Sequence, residues 1–149
     1  MCKNAYMDRA IELAKIALSE GEVPVGAVVV LNGEIIGEGY NRREQNEDVS
    51  SHAEIEALKN AAKRVGDWRL AGASLYVTLE PCLMCSGAIL QSRVSSLYFG
   101  ASDEKEGAVI SRYFVFDEPS SLPRPLIHPG IEKKKCEELL SSFFKKRRE

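Results

Sequence analysis

The sequence predicts an α/β protein of three layers (αβα), in which a mixed central sheet of about five strands carries helices on both faces. A valine-rich stretch, the pair Asn32-Gly33 and a second apolar stretch together predict an antiparallel hairpin. Further along, residues 74–100 are typical of a strand, a helix and a strand, and such a βαβ unit places its two strands parallel. A sheet that joins both kinds of pairing is covered by helices on its two faces.

The first part of the chain predicts a helix and then the hairpin. A helix is predicted over residues 4–20, followed by Gly21 in the position where helices commonly end. The residues on its apolar stripe are Tyr6, Ala10, Leu13, Ala14, Ala17 and Leu18. Residues 24–31 are predicted to form a buried strand because they are rich in β-branched side chains, and residues 34–40 are predicted to form the returning strand. The glycines of the returning strand indicate a bulge or a close approach of another backbone.

The middle of the chain alternates helices and strands. Residues 41–51 are polar and typical of a loop, and a helix follows over residues 52–65 until Gly66 ends it. A strand over 74–79, a helix over 81–91 and a strand over 95–100 then complete the βαβ unit.

The last third contains an irregular segment and a final helix. Residues 101–124 show no strong period, and prolines interrupt them, so they form either a functional loop or a packed surface excursion. A helix is predicted over residues 132–147, with Leu139, Leu140, Phe143 and Phe144 on its apolar face. Its basic end either complements the negative helix terminus or contacts phosphate.

Length and composition predict a single domain over residues 1–149. No stretch approaches the roughly 18 apolar residues of a membrane span, and no signal-peptide core is present, so we expect a cytoplasmic protein without a membrane partner. The formal net charge of −2 predicts that any nucleic-acid partner is held by a local patch. Of the cysteines outside the motif described next, we expect Cys136 to be a buried helix residue and Cys2 a free terminal thiol.

Two short stretches carry the predicted chemistry: His52-Ala53-Glu54 and Pro81-Cys82-Leu83-Met84-Cys85. Cys82 and Cys85 are spaced i, i+3 and point the same way on a helix, and with His52 they supply three zinc ligands. Three protein ligands leave the fourth position of a catalytic zinc open for a water molecule, whose pKa then falls to about 7. Glu54 lies beside this site as the candidate group for proton transfer.

Each half of the motif also has a simpler interpretation. Ser51 to Glu54 fits a capping box with Ser51 as N-cap, and a C-x-x-C pair alone fits a redox pair or a structural zinc site. The combination favours the catalytic zinc. Both halves stand at predicted helix N-termini, where the thiolate is favoured, and Pro81 occupies a first-turn position.

The pattern H-x-E followed by P-C-x-x-C is the signature of zinc-dependent nucleobase deaminases. The chain resembles one group of them, the bacterial tRNA-specific adenosine deaminases, which have the cytidine-deaminase-like fold. Further matching blocks carry this resemblance: residues 22–27, Asn41, residues 75–82, Gly100-Ala101, Asp103, Gly107-Ala108, and residues 136–148 with their basic tail. Residues 109–123 depart from the family pattern, which bears on contacts with the anticodon loop but not on the zinc chemistry.

The resemblance implies conversion of the wobble adenosine (A34) of an arginine tRNA anticodon to inosine. Zinc hydroxide would attack C6 while Glu54 shuttles the proton. It also implies a homodimer with one Zn²⁺ per subunit and the tRNA anticodon stem-loop as partner. By the same resemblance, the substrate contacts would come from Asn41, Ala53, Asp103, Phe143 and Phe144.

Two other functions stay open at this point. A zinc-dependent deaminase of a free nucleobase or nucleoside (guanine, cytosine or cytidine) would share every zinc residue. A binding module with a structural zinc would need a fourth protein ligand, for which His128, Cys2 and Cys136 are the candidates.

Overall fold

The computed structural model describes residues 3–148. Its elements, in chain order, are α1 (Lys3–Ser19), β1 (Gly26–Leu31), β2 (Glu34–Tyr40), α2 (Arg43–Asn46), α3 (Ala53–Val65), β3 (Ser74–Leu79), α4 (Leu83–Ser92), β4 (Ser96–Ala101), a 3₁₀ turn (Val115–Asp117), β5 (Leu126–His128) and α5 (Lys133–Arg148). The five strands form one sheet in the order β2-β1-β3-β4-β5. The predicted α/β fold with a mixed sheet of about five strands is confirmed.

The strand pairings follow the predicted pattern. β1 is antiparallel to β2 and to β3, while β3 and β4 run parallel on either side of α4. The short β5 lies parallel to β4 at the edge of the sheet, with Ile127 opposite Leu97. The sequence analysis did not identify this strand, because three residues after a proline-rich stretch are too few to show a period.

Helices cover both faces of the sheet, since alternate residues of one strand point to opposite sides. Ala27 and Val29 of β1 belong to an apolar cluster with residues of α3 and α4. Val28 and Val30 belong to a second cluster, with residues of α1 and α5. The zinc-motif residues stand at the N-termini of the two helices on the first face.

The glycines of β2 allow α3 to lie directly on the strand. A Cβ atom on Gly39 would stand 2.5 Å from the Ala53 carbonyl oxygen, and one on Gly37 would stand 2.5 Å from the Ala57 carbonyl oxygen. The register between β1 and β2 also shifts after Val29. Both expectations drawn from these glycines, a bulge and a close backbone approach, are confirmed.

The motif helices begin slightly later than predicted. His52 is the N-cap of α3, and Cys82 is the N-cap of α4. The prediction that Pro81 occupies a first-turn position is therefore wrong, because Pro81 precedes the cap. Ser51 is not the N-cap either, and its hydroxyl instead accepts a hydrogen bond from the Asn46 side chain. The capping-box interpretation is not supported.

The irregular segment after β4 packs onto the α3–α4 face. Val109 and the 3₁₀ residue Phe116 are buried in the same apolar cluster as α3 and α4. Within residues 3–148, no helix is both long enough and apolar enough to span a membrane. The expected free thiol of Cys2 lies outside the described residues.

Candidate active site

The fold brings His52, Cys82 and Cys85 into one cluster. The Nδ1 atom of His52 lies 3.3 Å from Cys85 Sγ and 3.6 Å from Cys82 Sγ. The ligand atoms of the three residues all lie within 4.8 Å of one another. Cys82 at the N-cap of α4 and Cys85 in its first turn supply the sulfur atoms, and His52 at the N-cap of α3 supplies the imidazole.

These separations suit a tetrahedral zinc ion. With Zn–S bonds of about 2.3 Å and Zn–N bonds of about 2.0–2.1 Å, tetrahedral angles place nitrogen and sulfur about 3.5 Å apart. The distances from His52 Nδ1 bracket that value. The residues present therefore fit Zn²⁺ with three protein ligands and one open position.

The candidate fourth ligands among the described residues lie elsewhere. Cys136 is buried in the cluster on the α1–α5 face, and the ring of His128 stacks on Tyr98 with centroids 4.4 Å apart. Neither belongs to the group of His52, Cys82 and Cys85. Burial of Cys136 was predicted and is confirmed, whereas a structural zinc completed by Cys136 or His128 is not supported.

Electrostatics at the cluster favour a thiolate on Cys82. A hydrogen bond from Cys85, together with one from His52, lowers the pKa of Cys82 to about 4. The same hydrogen bonding with Cys82 raises the pKa of Cys85, and burial acts in the same direction. One sulfur is thus ready as a ligand at neutral pH, and coordination by both requires release of the Cys85 proton.

Glu54 stands beside the cluster as a buried carboxyl group. It is the second residue of α3, and only 4% of it is exposed. Burial raises the pKa of Glu54 to about 7, although the charge of His52 acts in the opposite direction. A carboxyl group with a pKa near neutrality both accepts and donates a proton at neutral pH.

The cluster opens into a cavity of about 450 Å³. Three of the five residues that the resemblance assigns to the substrate, Asn41, Ala53 and Asp103, line it together with His52 and Glu54. Buried Asn41 donates from Nδ2 to the Val23 carbonyl (3.4 Å). Such a fixed amide in the wall can recognise a polar group of a ligand.

Phe143 and Phe144 do not line this cavity. Phe143 is 6% exposed and lines a different cavity, with Lys15 and Leu18 of α1. Phe144 is 48% exposed, and the two rings meet edge to face with centroids 5.3 Å apart. The substrate contacts of all five residues stay predictions, and the structure divides them between the cavity and α5.

Two buried carboxylates near the cavity received no role in the sequence analysis. Glu22 accepts hydrogen bonds from the backbone amides of Glu44 and Gln45, and so holds the turn that bears the cavity residue Arg43. Glu80 accepts several bonds from the segment after β4. The available signal was a glutamate next to an apolar strand, a place where buried charge needs partners.

Comparison with known proteins agrees with this geometry. The family model of MafB19-like deaminases matches residues 1–148. The tRNA-specific adenosine deaminase of Haemophilus influenzae is 49% identical over 144 residues, which cover 96% of this chain and 83% of that protein.

Two solved structures are also similar. One comes from a study of A-to-I editing by tRNA:A34 deaminases; it is 41% identical, has a TM-score of 0.90, and the match covers 93% of this chain and 100% of the other. The guanine deaminase of Bacillus subtilis is 30% identical with a TM-score of 0.67, and the match covers 100% of this chain and 96% of the other. From the family model and the extended identity, this chain belongs to the MafB19-like deaminases and to the tRNA-specific adenosine deaminase family.

Proposed function

We propose that this protein deaminates the wobble adenosine (A34) of an arginine tRNA anticodon to inosine by hydrolysis. The observation that carries the proposal is that buried Glu54 lines one cavity together with His52 and Cys82, two members of the cluster that Cys85 completes. The cavity supports hydrolytic deamination, and the 49% identity to a tRNA-specific adenosine deaminase supports the substrate.

Zn²⁺, one ion per chain held by His52, Cys82 and Cys85, would supply a water that is nucleophilic at neutral pH. Glu54 accepts the proton of this water and passes it to N1 of the purine as C6 is attacked. Glu54 then takes the proton of the new C6 hydroxyl and delivers it to the amino group, so the C6–N bond breaks, the C6 carbonyl forms and ammonia leaves. The water oxygen stays on C6, so adenosine and water give inosine and ammonia.

An anticodon loop is a suitable substrate for such a cavity. Its bases are unpaired, so turning one outward costs less than in a duplex. Asn41, Ala53 and Asp103 would contact the inserted nucleotide, since they line the cavity. Phe143 and Phe144 do not line the cavity, and with the basic end of α5 they would hold the rest of the loop.

The proposal extends to a homodimer in the cytoplasm. Exposed apolar side chains support an interface: Leu83 and Met84 at the start of α4, and Ile110 and Phe114 in the segment after β4. Sedimentation equilibrium of the zinc-loaded protein measures its mass directly. A monomer at micromolar concentration would contradict the dimer and leave the reaction untouched.

Inosine formation tests the reaction. The zinc-loaded protein is incubated with an arginine-tRNA anticodon stem-loop that carries adenosine at the wobble position, and the digested nucleosides are analysed by mass spectrometry. We expect inosine from this stem-loop and none from a matched stem-loop with guanosine at that position. Absence of inosine from an active, zinc-loaded preparation would overturn the proposal.

A second candidate, deamination of a free base or nucleoside, is favoured by the similarity to the guanine deaminase of Bacillus subtilis. Free guanine, cytosine, adenosine and cytidine therefore run in parallel with the stem-loop. If only a free base or nucleoside gives product, the role of Glu54 in proton transfer stands. The substrate is then that small molecule and not the tRNA.

A further inference from the structure

The Glu80 carboxylate is the centre of a buried hydrogen-bond cluster next to the zinc motif. Glu80 follows β3, is 2% exposed, and stands two residues before Cys82. Its Oε2 atom accepts hydrogen bonds from the backbone amides of Val109 (3.1 Å), Ile110 (2.9 Å) and Ser111 (3.1 Å). Its Oε1 atom accepts from the Asp103 amide (3.1 Å) and from the Ser111 hydroxyl.

The neighbouring backbone is shaped around this carboxylate. A Cβ atom on Gly107 would stand 2.5 Å from the Glu80 carboxyl carbon, so only glycine fits there without displacement. The Ala108 amide donates to the Pro81 carbonyl (2.8 Å), and the Glu80 amide donates to the Ala101 carbonyl (2.8 Å). Residues 102–111, which we name the Glu80 loop, thus close around one side chain.

A carboxylate suits this place better than its neutral amide. Four backbone amides and one hydroxyl converge on the two oxygen atoms of Glu80. An ionised carboxylate accepts hydrogen bonds with both oxygens and donates none, so it matches these five donors. Glutamine would keep one acceptor oxygen and direct an NH₂ group at N–H donors. Buried amides that lose their acceptor are costly, so the loop would open or rearrange.

The Glu80 loop contributes to the wall of the candidate active site. Asp103 and Glu106 line the cavity that contains Glu54, and Glu80 itself forms part of the same lining. The Asp103 carboxylate accepts from the amides of Lys105 and Glu106 at 3.1 Å each, which keeps this part of the loop in a tight turn. Glu80 therefore joins the chain immediately before the zinc ligand Cys82 to the loop that bears Asp103 and Glu106.

From these contacts we infer that Glu80 is a positioning residue, which holds the Glu80 loop so that Asp103 faces the substrate. Donors of the loop occupy both of its carboxylate oxygens, so Glu80 acts through Asp103 and not on the reacting atoms. This inference rests on the proposed function for the identity of the substrate, while the anchoring of the loop stands on the hydrogen bonds alone.

Hydrogen exchange followed by mass spectrometry tests the anchoring. In Glu80→Gln we expect peptides that contain residues 103 and 109–111 to exchange at least ~10-fold faster, the loss expected for hydrogen bonds to a charged acceptor. Ser111→Ala removes only the hydroxyl donor and should cause a smaller change in the same peptides. Glu38→Gln, which breaks the distant Arg9–Glu38 pair, is the matched control.

Three results of the exchange experiment would overturn the anchoring. The first is unchanged exchange of the loop in Glu80→Gln, and the second is equal acceleration in Glu38→Gln. The third is acceleration spread over β3 and α3, which would indicate general destabilisation. Zinc content, measured by atomic spectrometry, should stay at one ion per chain in all three variants.

Substrate binding separates positioning from a merely structural role. With the stem-loop, we expect Glu80→Gln to raise KM ~10-fold or more and to change kcat much less. The stem-loop Kd, measured in a Glu54→Ala background, should rise by a similar factor. Once Asp103→Ala is present, adding Glu80→Gln should raise Kd little further, because the two residues act as one unit.

The outcomes distinguish this inference from the proposed function. If the Glu54→Ala protein does not bind the stem-loop, the proposed substrate is wrong, and the KM–kcat comparison is made with whichever free base is turned over. Equal effects of Glu80→Gln on kcat and kcat/KM, or additive penalties with Asp103→Ala, would overturn the positioning role even if the stem-loop is the substrate.

Discussion

His52 Nδ1 and Cys85 Sγ lie 3.3 Å apart, although 33 positions separate the two residues along the chain. The contact exists because α3 and α4 cover the same face of the sheet and begin at the same end of it. Their N-termini converge there, and each contributes a residue at or near its cap. The candidate zinc site is thus a consequence of how two helices are placed.

Loss of one sulfur should remove the metal. We expect Cys85→Ser to bind Zn²⁺ at least ~10-fold more weakly, because a hydroxyl is a poor replacement for a thiolate ligand. Competition with a chromogenic chelator measures this affinity. Cys136→Ala, which alters a buried thiol on the other face, should bind zinc normally; equal loss in both variants would contradict the assignment.

Glu54→Ala should stop catalysis without releasing the metal. We expect kcat to fall by a factor on the order of 10²–10⁴, the usual contribution of a positioned acid–base group. Glu56→Ala, two residues further along α3 and outside the cavity lining, should keep normal activity. Single-turnover kinetics measures the rate of the chemical step, and zinc analysis shows whether the metal is retained. Loss of zinc from Glu54→Ala would make this residue a ligand or a structural support.

Two glycine-to-alanine changes should shift stability in opposite directions. In Gly39→Ala the new Cβ would stand 2.5 Å from the Ala57 amide nitrogen, so β2 or α3 has to move. We expect a loss of about 1–3 kcal/mol, as for other overpacked sites. Gly87→Ala in α4 meets nothing within 4 Å and should stabilise by about 0.5–1 kcal/mol. Urea unfolding measures the change in the free energy of unfolding for both variants. If the two changes have the same sign, the close contact between β2 and α3 is contradicted.

Cys136 should make stability depend on alkaline pH. Burial raises the pKa of this thiol to about 12 from an ordinary value near 9. Between these values the folded chain keeps a proton that the unfolded chain loses, so rising pH lowers the free energy of unfolding. The slope from this group is at most about 1.4 kcal/mol per pH unit.

The difference between wild type and Cys136→Ala isolates this contribution, because other titrating groups are common to both proteins. Urea unfolding at a series of pH values from 8 upward measures it. Parallel stability curves would contradict the raised pKa of the thiol.

The two phenylalanines of α5 should have separable effects. Phe143 is buried and Phe144 is about half exposed. We expect Phe143→Ala to lose about 3–5 kcal/mol of stability, the usual cost of truncating a buried ring. Phe144→Ala should keep its melting temperature and bind the stem-loop more weakly. Gel-shift titration and thermal unfolding test the pair; unchanged affinity in Phe144→Ala would remove this residue from the substrate contacts.

Local sequence determined most of the elements of this protein. The β-branched run before Asn32-Gly33 set the hairpin, and the alternation around residues 74–100 set the parallel pair. The ligand types and the i, i+3 spacing of Cys82 and Cys85 predicted the metal cluster, because zinc coordination depends on side-chain chemistry that the sequence states directly.

Tertiary structure alone decided the surroundings of that cluster. β5 is paired only because β4 offers an edge, and Glu80 is a structural centre only because residues 103–111 fold back over it. The burial that raises the pKa of Glu54 likewise comes from elements distant in the chain. Such contacts join residues far apart in sequence, so no local period or spacing encodes them, and they exist only once the helices and the sheet have packed.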